Sequence, residues 1–183
     1  MILAPVGPFP ADLLSQLSRR TGIALGEPRV NPGHAWNDSR GQCDSNRILA
    51  ALKEAYQGTV VGATGYDLYL PILTHVFGEA ELRGRVAVFS IHRLREEFYG
   101  MPPNGDLLMD RAVRELWHEL GHVFGLTHCR DAFCVMSPAH SVEQVDAKAD
   151  HYCPHCVKRL AALAPEAILQ RHERGPAARH SRP

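Results

Sequence analysis

His118-Glu119-Leu120-Gly121-His122, continued through Gly125 to His128, decides how this chain is read. On a helix turning about 100° per residue, His118 and His122 lie about 40° apart in azimuth and about 6 Å apart along the axis, so both imidazoles reach one cation. Glu119 flanks the same face, where a carboxylate takes a proton from a metal-activated water without ligating the metal. Gly125 tolerates the left-handed backbone that ends a helix, so the chain leaves after Phe124 and brings His128 back beneath the metal. Three neutral imidazoles leave a fourth zinc position for water, whose pKa then falls to roughly 7. The pattern points to zinc-assisted hydrolysis. The helix itself is supported by Asn104 or Asp106 as a cap and by Leu108, Ala112, Leu116, Leu120 and Val123 at helical spacing.

The next thirty residues carry a second, independent pattern. Cys129 and Cys134 are spaced C-x4-C, and Cys153 and Cys156 are spaced C-x2-C. Four such thiols suit one tetrahedral structural zinc; the competing reading is two disulfides. Nothing in the chain marks an oxidising compartment, which favours thiolates on zinc. Cys129 directly follows His128, so this zinc would pin the segment carrying the third imidazole. Two zinc ions per chain are expected.

The run H-E-x-x-H-x-x-G-x-x-H-C-x4-C-x-M with a downstream C-x-x-C resembles the archaemetzincins, a branch of the metzincin metallopeptidases. It reads here as His118, Glu119, His122, Gly125, His128, Cys129, Cys134, Met136, Cys153 and Cys156, with no departure. Looser similarity extends upstream to Val60-Val61-Gly62, Asp67-Leu68-Tyr69, Val76-Phe77-Gly78 and Val86 to Ser90, covering roughly residues 1–160. The resemblance implies catalytic zinc on His118, His122 and His128, Glu119 as general base and acid, and structural zinc on the four cysteines. It implies that Met136 forms the turn beneath the metal. It further implies an α/β, zincin-like fold: a mixed twisted sheet with an antiparallel edge strand, an active-site helix, and a small zinc-stapled C-terminal subdomain. In that family the edge strand lies over the active helix, so Phe77, Gly78, Glu79 and Ala80 become the expected substrate-binding segment, pairing with an extended peptide.

The domain boundaries expected are 1–125 for an N-terminal α/β part ending in the active helix, 126–172 for the C-terminal part, and 173–183 for a solvated, disordered tail. With 183 residues and 45% hydrophobic content, one sizeable core is possible. Twenty basic and twenty acidic residues leave zero net charge, so neither a nucleic-acid footprint nor a polybasic membrane stripe is present. No apolar run is long enough to cross a bilayer. Residues 1–17 lack a cationic start and an unbroken apolar stretch, with Pro5, Pro8 and Pro10 interrupting, so no secretory signal and a cytoplasmic location are expected. The expected partner is a peptide or protein substrate, and a monomer is assumed.

Upstream, strand and helix alternate. Ile2–Val6 reads as a strand, Ala11–Arg20 as a helix ended by Gly22 with Leu13, Leu14 and Leu17 inward, and Ala24–Val30 as a strand weakened by Pro28. Ser45 is the expected cap of a helix carrying Ile48, Leu49, Leu52, Ala55 and Tyr56, ahead of a β-branched run at Thr59–Val61. His75–Leu82 and Arg85–Ile91 form two strands joined near Arg83-Gly84, the second apolar on both faces. Lys158–Gln170 reads as a helix packing Leu160, Leu163 and Leu169 inward.

Isolated His92, His151 and His155 read as surface or core groups, and Cys43 as a buried thiol. The alternative to a peptidase is a zinc-stabilised protein- or peptide-binding module whose catalytic position is closed, with His140 or His151 as a fourth ligand. Endopeptidase and aminopeptidase action both remain open.

Overall fold

The computed structural model describes residues 1–164; residues 165–183, which include Leu169 and the expected tail at 173–183, lie outside the described residues. In chain order the elements are β1 (Ile2–Pro5), α1 (Ala11–Thr21), β2 (Ala24–Leu25), β3 (Trp36–Asn37), β4 (Gln42–Asp44), α2 (Ser45–Ala55), β5 (Val60–Thr64), β6 (Leu68–Tyr69), β7 (Gly78–Ala80), β8 (Val86–Ser90), α3 (Gly105–Val123), α4 (Val142–Ala147) and α5 (Pro154–Leu163). The main sheet has the order β2-β1-β5-β8-β7, parallel throughout except for β7, which runs antiparallel to β8 at the edge. A second small sheet, β3-β4-β6, was not anticipated; it takes in Leu68 and Tyr69.

Alternation along the central strands sorts the core into two faces. Leu3, Val61, Ala63, Ala87 and Phe89 join Leu14 and Leu17 of α1 and Ala112, Leu116 and Leu120 of α3. Ala4, Val60, Val86 and Val88 join Ile48 and Leu52 of α2 on the other face. A third cluster packs Leu126, Val135, Met136, Tyr152, Cys156 and Leu160 around the cysteines.

Several local expectations need correction. The cap of α2 is Asp44, whose Oδ1 accepts from Asn46 N at 3.0 Å; Ser45 is the first helical residue and its buried hydroxyl donates to Tyr69 O instead. The second strand stops at Leu25, short of Pro28, which has no backbone N–H to give a ladder. The last helix starts at Pro154, earlier than Lys158, because proline fits a first helical turn. Leu160 is buried as expected, but Leu163 is 38% exposed and Ala164 takes the inward place. Asn104 does cap α3, its Oδ1 accepting from Leu107 N at 3.0 Å.

Candidate active site

α3 carries the decisive residues on its inner face. His118 and Glu119 are buried, and the helix ends after Val123, with Gly125 in the left-handed region at φ 94°. Gly125 N and Leu126 N donate back to His122 O and Gly121 O, at 2.9 and 2.8 Å, so the chain reverses and carries His128 toward the helix. The three imidazole rings have centroids 4.8, 5.0 and 5.3 Å apart. One ring nitrogen from each lies within 4.8 Å of the other two.

Hydrogen bonding settles the tautomers. His118 Nδ1 lies 2.8 Å from Val135 O, and His122 Nδ1 lies 2.8 Å from Leu126 O. A carbonyl only accepts, so both Nδ1 atoms carry protons and both Nε2 atoms present lone pairs. Those two Nε2 atoms face each other at 3.2 Å. Two lone pairs at that distance repel unless a cation lies between them, and tetrahedral zinc with bonds of about 2.05 Å separates its nitrogens by about 3.3 Å. The donor set therefore fits zinc. Burial first, then the Lys148 ammonium, holds the His118 pKa well below its ordinary value, and burial lowers those of His122 and His128, so all three rings stay neutral as ligation requires.

Glu119 lies among other carboxyls. Burial, followed by the charges of Glu115 and Glu79, pushes its pKa well above the usual range, against the pull of Lys148. The backbone of Gly78 on β7 lies directly over this side chain: a Cβ at Gly78 would stand 2.7 Å from Glu119 Cδ and Cγ. Histidines, Glu119 and β7 share one cleft of about 610 Å³, which Thr74, His75, Ala139 and His140 also line. Phe77, Gly78, Glu79 and Ala80 all line it, with Phe77 preceding the strand itself.

The four cysteines also come together, all as free thiols. Cys129 Sγ and Cys153 Sγ are 3.8 Å apart, far beyond a disulfide bond and close to the edge of a zinc–thiolate tetrahedron with bonds of about 2.3 Å. Cys153 N donates to Cys134 Sγ at 3.3 Å, the kind of contact that favours a thiolate. Burial raises the Cys134 and Cys156 thiols. At Cys153 burial acts in the same direction, but hydrogen bonds from its cysteine neighbours outweigh it and lower the pKa. Met136 is fully buried with its Sδ against Gly121 on α3, where a Cβ would also stand 3.0 Å from Met136 Cε.

Neither His140 nor His151 belongs to the histidine cluster; His140 is an exposed residue lining the cleft, and His151 is exposed beside Asp150. His92 packs on Phe98, away from both clusters, and His155 is exposed near the cysteines. Cys43 is buried in the α2-side core, which pushes its thiol up to about 11, an inert group. Sequence reasoning missed Glu115 and Lys148, which also line the cleft. Glu115 was detectable, since it precedes Glu119 by one helical turn; Lys148 had no local pattern to mark it.

A mixed zincin-like sheet over a helix bearing two imidazoles and a buried glutamate, with a third imidazole returned to them by the chain beyond the helix, defines a zinc-dependent metallopeptidase. The chain belongs to peptidase family M54, whose model matches residues 34–162. It is similar to the archaemetzincin of Thermococcus kodakarensis, 53% identical over 177 residues, covering 87% of this chain and 94% of that one. It is also similar to the archaemetzincin of Methanocaldococcus jannaschii, 44% identical over 163 residues, with 86% and 90% covered. The crystal structure of archaemetzincin from Methanopyrus kandleri superposes with a TM-score of 0.79 at 34% identity, covering 91% of this chain and 96% of that one. The archaemetzincin resemblance read from ten motif residues is thereby borne out, as are zinc dependence and a peptide or protein substrate. Among the described residues no helix is long and apolar enough to cross a membrane.

Proposed function

We propose that this peptidase cleaves its substrate at the His118–His122–His128 centre, with Glu119 as the proton-transferring group and β7 as the strand on which the peptide lies. The observation that carries the reading is the 3.2 Å approach of the two unprotonated Nε2 atoms beside buried Glu119 in an open cleft. Zinc held there supplies Lewis acidity toward water and the scissile carbonyl, and a positive charge that offsets the rise in the Glu119 pKa.

Glu119 takes the proton of the attacking water on a carboxylate oxygen and returns it to the leaving amine. Gly78 confines that carboxylate from one side, which limits the positions its oxygens can take. Val135 O and Leu126 O hold His118 and His122 in the ligating tautomer. Met136 fills the space beneath the helix at Gly121, and the four cysteines would hold a structural zinc that fixes the same segment.

The strand register says which backbone groups are free for the peptide. Ser90 N donates to Phe77 O and Glu81 N to Val86 O, and the register pairs Gly78 with Phe89, Glu79 with Val88 and Ala80 with Ala87. Antiparallel alternation then turns the amides and carbonyls of Phe77, Glu79 and Glu81 toward β8 and those of Gly78 and Ala80 toward the open edge. Gly78 and Ala80 supply the backbone pairing, while Phe77 and Glu79 shape the cleft.

The proposal divides the chain after Gly125, and the separate apolar cluster around Leu126, Met136 and Leu160 supports that boundary. It also places the protein in the cytoplasm, supported by five free cysteines and no disulfide among the described residues.

The deciding experiment incubates zinc-loaded protein with a diverse peptide library beside Glu119→Ala, reading cleavage by mass spectrometry and zinc by elemental analysis. The wild type should cleave, and the variant should keep its zinc while losing about 100-fold or more in rate. A variant that cleaves at the wild-type rate would falsify the assignment of Glu119.

A further inference from the structure

The cleft holds one charged pair that hydrolysis does not use. Glu115 lies one turn before Glu119 on α3, and Lys148 follows α4. Both line the cleft, yet each is only 3% exposed, which places them at its inner end. Lys148 Nζ meets Glu115 Oε1 at 3.4 Å, a long contact and the one hydrogen bond of this ammonium among the described residues. An ammonium has three N–H groups and a carboxylate has two oxygens, so the pair retains donors and an acceptor for a third group. Pro138 and Ala139, on the segment following Met136, give the cleft apolar lining, and His118 lines it as well.

We propose that Lys148 and Glu115 form the end of a side-chain subsite that selects a carboxamide, the side chain of glutamine or asparagine, in the peptide substrate. This rests on the peptidase reading. Lys148 Nζ donates to the carboxamide oxygen and Glu115 accepts from its NH2, so both charges keep partners as the side chain displaces water. A carboxylate would satisfy Lys148 but stand against Glu115. An ammonium would do the reverse. An apolar side chain would desolvate both members of the pair without replacing the lost water contacts, which is how a polar site rejects an analogue lacking the matching group.

The test uses three peptide hydroxamates identical except for glutamine, glutamate or norleucine next to the zinc-binding group, titrated by calorimetry into the full zinc-loaded chain. The matching peptides are assayed for cleavage in parallel. The glutamine compound should bind about tenfold more tightly than either other. In Lys148→Met the order should shift to favour norleucine, and in Glu115→Gln it should shift to favour glutamate, because Lys148 then faces no competing carboxylate. A pair serving only to hold α4 on α3 would leave the order unchanged. Equal affinity for the three compounds in the wild type overturns the proposal, and that result needs no variant to fold. An unchanged order in both variants, with zinc content intact, also overturns it. Glutamine-selective binding without cleavage of any peptide would support the subsite and remove the peptidase reading.

Discussion

Gly78 lies against Glu119 so closely that a single added methyl group would stand 2.7 Å from the glutamate's Cδ and Cγ. The edge strand and the active helix therefore meet at backbone against carboxylate, with no side chain between them. Gly78→Ala forces Glu119 to shift, because the added carbon is held on the β7–β8 ladder. A displacement of about 1 Å at a proton-transferring group costs on the order of 100-fold in rate. Gly78→Ala should lose about that much kcat while elemental analysis still finds two zinc ions and calorimetry a Tm close to wild type. Full activity would show that the carboxylate is not confined by β7.

Ala80→Pro tests the strand register. The Ala80 amide points to the open edge, so proline there removes no bond to β8 and suits an edge position. We expect KM to rise about tenfold through one lost backbone contact, with stability falling by no more than about 1 kcal/mol. Glu79→Pro is the control: its amide faces Val88, and this variant should unfold at markedly lower urea. If both variants bind peptide as the wild type does, the peptide does not lie on β7.

The parts of this site that were legible in the sequence are those whose geometry is local. His118, Glu119 and His122 share a helix face by spacing alone, Gly125 ends that helix, and C-x4-C with C-x2-C announces four convergent thiols. The β7–β8 hairpin was legible because β8 is apolar on both faces and Arg83-Gly84 interrupts the run. What stayed hidden depends on distant partners. Lys148 is 33 residues from Glu115, and only the packing of α4 against α3 brings them together. Strands β3, β4 and β6 have two or three residues each, too few for any periodicity to register. Asp44 and Ser45 are both good caps, and the choice between them is made by Tyr69 O, which engages the serine hydroxyl.

Val135 links the two metal clusters. Its carbonyl holds His118 Nδ1, and it sits between Cys134 and Met136, while Cys129 N donates to Met136 O at 2.9 Å. Removing a cysteine should therefore damage the histidine site as well. Native mass spectrometry should find two zinc ions in the wild type and one in Cys153→Ser, and the remaining zinc should bind about 10- to 100-fold more weakly. A competition titration with a colorimetric chelator reads that loss. If Cys153→Ser keeps two zinc ions, the four-thiolate site is wrong; if the histidine zinc is unaffected, Val135 transmits nothing.

Asp67 joins the cleft wall to the acid stability of the fold. Burial works to raise its pKa, but Arg93 Nε and Nη2 at 2.8 and 2.7 Å, together with Gln42 Nε2 at 2.9 Å, outweigh it and hold the carboxyl below its ordinary value. A carboxyl whose folded pKa is depressed contributes stability that is fully present above its unfolded value of about 3.9 and is lost as pH falls through the folded value. Asp67→Asn should therefore cost about 1–3 kcal/mol at pH 7, and the gap from wild type should close progressively below about pH 4. Gln42 Nε2 also donates to Thr74 O, on the cleft lining, at 3.0 Å, so the same variant should raise KM at neutral pH as that segment loosens. Urea titrations at a series of pH values measure the first effect and steady-state kinetics the second. A stability gap that stays constant from pH 7 to pH 3 would mean the Asp67 charge is not what Arg93 and Gln42 hold, and a shape role for the side chain would replace it.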